Sequence, residues 1–433
     1  MLRMFSDLPA FRRDTLGFFL DKCKNATAPL EKLHVGPHPI YLVADPDLVK
    51  PVFNAPESEI DKGRLIYKMR EVLGRSSLTL NGDEHKERRA AIHARLAKGM
   101  TTTYVPEISA IVRRYTMMAA QQGSFDAHGI GAPLALRVIC DVLFGREALS
   151  RGDEAALVNT IKLVEDDVAE KIFRVFPDLP WVAKRKKEKL RQGREIMMQV
   201  VERARQKASD ASILQGLLEL NLDDEGLRDE ILLIILAGHH TTGSAAAWIF
   251  YYMALYPDLV ENLAKEAADI GDETGEIIPE KLYRDAPVSR AFANEVLRLF
   301  PSSYWMSRET MADVELGGMP VKAGTSLIIC PWAFGRDPKF WDDPEEFRLD
   351  RSYANRAFVP FGAGPRVCVG GQLAMVELQL MALEFASAFE FTGVTPNPAP
   401  LPKPSLTLVP PRMEVTVKPR AHRAEPLIST HAA

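Results

Sequence analysis

Paired cysteines are missing from this chain. Its four cysteines, Cys23, Cys140, Cys330 and Cys368, are scattered through 433 residues with no CxxC among them. That spacing excludes a cysteine-stapled secreted scaffold and suits a reducing compartment. An excess of charge is missing too: 54 basic side chains face 58 acidic ones, for a formal net charge of −4. Such a balance offers no footing for nucleic acid. The stretch MLRMFSDLPAFRRDTLGFFLDKC has no apolar run near the ~20 residues of a membrane span. It also lacks the h-region and cleavage site of a secretory signal, so we expect no membrane span and a cytoplasmic location. No internal repeat is evident, which removes solenoids and propellers. Apolar material is plentiful at 46%, and length alone would suggest two or three domains.

The most informative stretch is Phe358-Val-Pro-Phe-Gly-Ala-Gly-Pro-Arg-Val-Cys-Val-Gly-Gly-Gln-Leu-Ala-Met-Val-Glu. Cys368 stands there between a glycine-rich loop and an amphipathic run that reads as a helix. Gly362, Gly364 and Gly370 let backbone approach a flat object and leave amides free to point at the sulfur. The helix opening after the cysteine brings the positive end of its dipole, which favours thiolate over thiol. A thiolate with one open side is a good axial ligand for haem iron. A buried free cysteine at a turn is the competing account. The loop is not a dinucleotide fingerprint, because Val367 replaces the third glycine.

Elsewhere the chain reads as helices punctuated by short strands. Leu33 to Val43 suggests a hairpin with a Gly-Pro turn, and Asp45-Pro-Asp-Leu starts a short helix. His85 and Arg89 lie four apart and share one helix face. From 107 to 222 the pattern is helical, with breaks at Gly123, Gly129 to Pro133 and Pro177 to Pro180. Lys184-Arg-Lys-Lys-Glu-Lys opens a helix as a solvated basic face, or as a contact for a redox partner. Asp223 reads as the N-cap of a helix running to Tyr256, where Pro257 stops it. That is about 33 residues and ~50 Å of helix. Its middle is Ala237-Gly238-His239-His240-Thr241-Thr242, where small residues leave room for a ligand. Thr241 can bond back to the carbonyl four residues earlier. Glu295 and Arg298 sit among apolar neighbours, as a buried pair would. Ser405-Leu-Thr-Leu and Glu414-Val-Thr-Val suggest a closing hairpin whose tip reaches the pocket. Beyond Arg420 we expect a disordered tail.

Phe361-x-x-Gly364-x-Arg366-x-Cys368-x-Gly370, with Ala374 and Glu377 at their offsets, closely resembles the haem-binding signature of the cytochrome P-450 family of haem-thiolate monooxygenases. Its HxxxR is matched by His85 and Arg89, and its ExxR by Glu295 and Arg298, with Arg351 as the third member. Ala237 to Thr242 resembles its distal (Ala/Gly)-Gly-x-(Asp/Glu)-Thr-(Thr/Ser). The resemblance implies a mainly α fold with small β-sheets, in a single large domain over residues 1–420, with 421–433 as the tail. It further implies haem b held by Cys368, with Phe361, Gly362, Gly370 and Ala237 around it. His85, Arg89, Arg308 and Arg366 would meet the haem propionates. Thr241, flanked by Gly238, His240 and Thr242, would serve oxygen chemistry. Ser303, Tyr304 and Ala237 would border the substrate. Glu295, Arg298 and Arg351 would be structural.

The same resemblance implies electrons from NAD(P)H through a ferredoxin and its reductase, since nothing here resembles a flavin or iron–sulfur domain. The substrate would be a hydrophobic small molecule: fatty acid, terpenoid, steroid-like or aromatic. One position departs from the pattern, His240 in place of an acid. Histidine can carry protons near physiological pH, so the relay is expected to run through it. Adjacent helical residues point about 100° apart, which argues against a metal pair with His239. Two other classes remain open, a peroxide-driven peroxygenase or decarboxylase, and a non-catalytic haem sensor with His239 or His240 as sixth ligand.

Overall fold

Asp223 begins the helix around which the rest is arranged. Its carboxylate accepts the Gly226 amide at 2.7 Å, filling an orphan donor of the first turn. The helix runs Asp224–Leu255, 32 residues, and Pro257 opens the next one, Pro257–Ile270. In this computed structural model the described residues are 2–146, 148–150, 152–153, 156–157, 160–161, 163, 180–206 and 211–420. The expected tail at 421–433 and the break at Pro177 lie outside them.

A second helix, Ala127–Phe144, lies along the first, and glycines set how closely they approach. A Cβ on Gly243 would stand 2.7 Å from the Ala132 Cα, and one on Gly131 would stand 2.9 Å from the Ala246 Cβ. The expected break at Gly129 to Pro133 is absent, and Pro133 lies inside the helix. Burial against the long helix outweighs the one hydrogen bond that proline removes. Both helices are long and apolar enough to cross a membrane by length and composition, but 67% of each apolar window is buried inside the protein. Both therefore serve as core helices, packed against each other and, for the long helix, also against Gly371–Ala388.

The early hairpin forms as Leu30–Leu33 against Ile40–Val43. It is the edge of a five-stranded sheet that continues through Ser326–Ile329 and Met306–Thr310 to Ile60–Asp61. Ile40–Val43 and Ser326–Ile329 run parallel, and the other pairs are antiparallel. The closing segment differs from expectation. Glu414–Pro419 pairs with Phe389–Thr395 and Ser124–Asp126, while Lys403–Pro404 pairs with Leu408–Val409. Residues 405–407 are thus a turn of their own. Alternation in 414–417 marked a strand correctly, but its partners lie far away in sequence and carry no local signal.

Glu295 and Arg298 are fully buried on the helix Pro287–Leu299, paired at 2.7 Å. Glu295 also accepts from Arg351 Nε at 3.1 Å, the Arg348 amide at 2.9 Å and the Tyr353 hydroxyl at 2.9 Å. Arg298 donates to the carbonyls of Gly335, Pro344 and Glu346. A buried ion pair is tolerable only when its remaining donors and acceptors are filled, and here they are. This cluster ties the segment before the cysteine loop to the helical body, and Phe347 adds to it by stacking on Tyr252 of the long helix.

Candidate active site

The cysteine loop is shaped by two glycines in left-handed backbone, Gly362 at φ 72° and Gly364 at φ 68°. Side chains other than glycine rarely adopt that region, and a Cβ at Gly364 would strike Asn54 Oδ1 at 2.5 Å. The turn closes with the Cys368 amide donating to the Phe361 carbonyl at 2.9 Å. Gly370 then caps the helix Gly371–Ala388, against whose first residue Phe361 packs. Cys23, Cys140 and Cys330 are buried, whereas Cys368 is accessible to solvent.

Protein still crowds the accessible sulfur, and desolvation raises the Cys368 thiol, against the Gly370 amide and the Arg89 cation, which lower it. This corrects the expectation that loop and helix end alone would favour thiolate. Burial wins, and only a positive metal in contact would remove the proton outright. Among the described residues no three His, Cys, Asp or Glu side chains gather as a site for a bare metal ion.

On the long helix, buried residues flank an opening. Leu236 and Thr242 are buried, yet Ala237 is exposed and Thr241 is half-exposed. Thr241 Oγ1 donates to the Ala237 carbonyl at 2.8 Å, the back-bond its type allows. The Ser302 hydroxyl donates to the Thr241 carbonyl at 2.7 Å. His240 Nδ1 lies 2.9 Å from the Thr407 hydroxyl. Gly238 faces elsewhere: its Cβ would meet Ile139 Cγ1 at 2.6 Å, so its smallness serves helix packing and not ligand space. Thr242 is buried. Tyr304 is fully buried too, its hydroxyl donating to the Ser405 carbonyl at 3.2 Å. It is a core residue, not a pocket wall. Ser303 is half-buried.

A third group of residues lines a cavity of about 740 Å³ that includes His85, Arg89, Arg308 and Arg366. Its lining also holds Lys62, which sequence reasoning missed; a lone lysine after a two-residue strand gives no signal. Burial, then Arg366, pushes Lys62 down to about 7. Burial, then Arg366, Lys62 and Arg89, pushes His85 down to about 4. Arg308 falls to about 10, chiefly through burial, and lies 4.2 Å over the Phe53 ring. Arg366 donates to Asn81 Oδ1 at 2.9 Å and to Glu57, and Arg89 donates to the Val367 carbonyl at 2.6 Å. Seven cationic or basic groups, Lys86 and His93 among them, thus share a wall with two carboxylates, Glu57 and Asp61. Such a wall holds more cations than anions, and two carboxylates of a ligand would offset the surplus. Together with an accessible sulfur and an open patch of helix, it fits a flat dicarboxylate such as haem.

A family model described as cytochrome P450 matches residues 2–417. The chain belongs to the cytochrome P450 family. Relatives span three kingdoms. Cyclooctat-9-en-7-ol 5-monooxygenase of Streptomyces melanosporofaciens is 27% identical, covering 85% of this chain and 84% of its own. Cytochrome P450 3A15 of Cavia porcellus is 24% identical, covering 96% and 89%. Protein LUTEIN DEFICIENT 5, chloroplastic, of Arabidopsis thaliana is 23% identical, covering 86% and 68%. The protein is therefore a haem-thiolate monooxygenase, using haem iron, dioxygen and electrons from a redox partner on a hydrophobic substrate. Cys368 would hold the iron, and Lys62, His85, Arg89, Arg308 and Arg366 would receive the propionates.

Proposed function

We propose that this P450 hydroxylates a hydrophobic small molecule in the cytoplasm, with haem b as cofactor. Electrons would come from NAD(P)H through a ferredoxin and its reductase. The observation that carries the reading is the opening at Ala237 and Thr241 between buried stretches of the long helix, in a chain whose only accessible cysteine is Cys368. Haem bound at Cys368 supplies the oxygen activation; the chain's residues do the rest. The basic wall anchors the carboxylates of the cofactor. The apolar run Ile231 to Leu236 keeps water from the distal side. The Thr241 hydroxyl, which donates to the Ala237 carbonyl at 2.8 Å, would hold or release a proton at this opening. His240 passes protons inward in place of the acid.

The bacterial relative's name gives an unsaturated alcohol as substrate, which supports a terpenoid-like or similarly apolar molecule here. His240 also favours a second reading, a peroxide-driven enzyme, because the usual acid is absent. The reduced carbon monoxide difference spectrum tests the core reading. The thiolate band should be present in the protein and absent in Cys368→Ala; a protein without that band overturns it. Product formation with hydrogen peroxide alone, at the rate of the full electron chain, would favour the second reading.

A further inference from the structure

The Thr407 side chain is 5% exposed, and its hydroxyl lies 2.9 Å from His240 Nδ1. Thr407 ends the 405–407 turn, and that turn is fastened on both sides. The Ser405 amide donates to the Thr407 carbonyl at 2.9 Å, and the Leu408 amide donates to the Ser302 carbonyl at 3.0 Å. The Tyr304 hydroxyl holds the Ser405 carbonyl, and the Ser302 hydroxyl holds the Thr241 carbonyl. Three segments distant in sequence therefore close a ring of hydrogen bonds around residues 240 and 241. We propose that Thr407 is the positioning residue of the proton relay, keeping the His240 imidazole in one orientation through each of its protonation states. The proposal rests on the relay reading of His240.

The chemistry of the pair supports this assignment. A hydroxyl is both donor and acceptor and turns to suit its partner. It can donate to Nδ1 when the neutral ring carries its proton on Nε2. It can accept from Nδ1–H in the other tautomer and in the imidazolium. A backbone carbonyl would serve only the last two, and an ammonium only the first. With Nδ1 engaged, delivery and uptake of protons fall to Nε2. One proton leaves Nε2 and one returns to it, so the ring is restored and the charge on Thr407 never changes. A carboxylate at position 240 would need no such partner to choose its atom; an imidazole does.

The test compares Thr407→Val, which keeps the volume and loses the hydroxyl, with Thr407→Ser, which keeps the hydroxyl, and with His240→Ala. Each is made as the full chain with haem. A ferredoxin and its reductase supply electrons, and hydrogen peroxide released per NADPH oxidised is measured. Thr407→Val should raise that fraction by roughly threefold to tenfold, the factor one neutral hydrogen bond is worth. Thr407→Ser should restore most of the parent value. Nitrogen-15 NMR of the histidine rings, in the diamagnetic reduced carbon monoxide form, gives a readout independent of turnover. The His240 ring signals, identified by their loss in His240→Ala, should move in Thr407→Val and return in Thr407→Ser. If Thr407→Val fails to assemble, as judged by its thiolate band, Thr407→Ala takes its place. Unchanged peroxide release and ring signals without the hydroxyl, while His240→Ala does alter peroxide release, overturn the role of Thr407 alone. An unaltered His240→Ala overturns the relay reading and this inference together.

Discussion

Lys62 and Glu377 show how burial sets the charge of single groups. Lys62 is pushed down to about 7, so above that pH the folded protein without its cofactor binds fewer protons than the unfolded chain. Anionic propionates would restore the ammonium, and haem binding would take up a proton there. Titration of the cofactor-free protein with haem should show affinity falling from about pH 7 to about pH 9. Lys62→Met should bind haem more weakly at pH 7 and flatten that limb. Glu377 is the opposite case. Its side chain is buried, Oε2 has no hydrogen-bond partner among the described residues, and burial raises the acid well above its ordinary range. The folded state keeps the proton while the unfolded chain ionises, so stability falls as pH rises above about 4.3. Glu377→Gln removes that slope. Its denaturant midpoint, relative to the parent, should be higher at pH 8 than at pH 4.

Helix packing decides what the distal glycines do. The Cβ missing at Gly238 would meet the Ile139 side chain, whereas that missing at Gly243 would meet the Ala132 backbone. Alanine in a helix interior gains about 1 kcal/mol over glycine, and overpacking costs about 1–3 kcal/mol. Gly238→Ala should therefore be mildly destabilising in urea, and less so in an Ile139→Ala background. Gly243→Ala should lose more, with no side-chain change at Ala132 restoring it, because the obstacle is backbone. Sequence alone made Gly238 a provider of ligand space; the crossing helix reassigns it, since which face a helical glycine presents depends on a partner far away in the chain. The helix itself was legible from its Asp223 cap and its Pro257 stop.

Across the whole molecule, the cluster of Glu295, Arg298 and Arg351 joins the helical body to the segment that leads into the cysteine loop. Breaking a buried pair leaves an uncompensated charge and costs about 3–5 kcal/mol. Arg298→Met should lower the thermal midpoint and release haem more readily, as followed by loss of the Soret band during heating. The thiolate band at low temperature would decline with it, because the cysteine loop loses its anchor.

The sequence by itself determined the ends of the long helix, the cysteine loop with its glycine turns, and the family, because these rest on residues close together in the chain. The tertiary structure alone decided that the thiol of Cys368 is raised, that Tyr304 belongs to the core and that Lys62 joins the basic wall. It also alone seated Thr407 on His240. Burial, desolvation and partners drawn from distant segments produce those outcomes, and none leaves a mark on neighbouring residues.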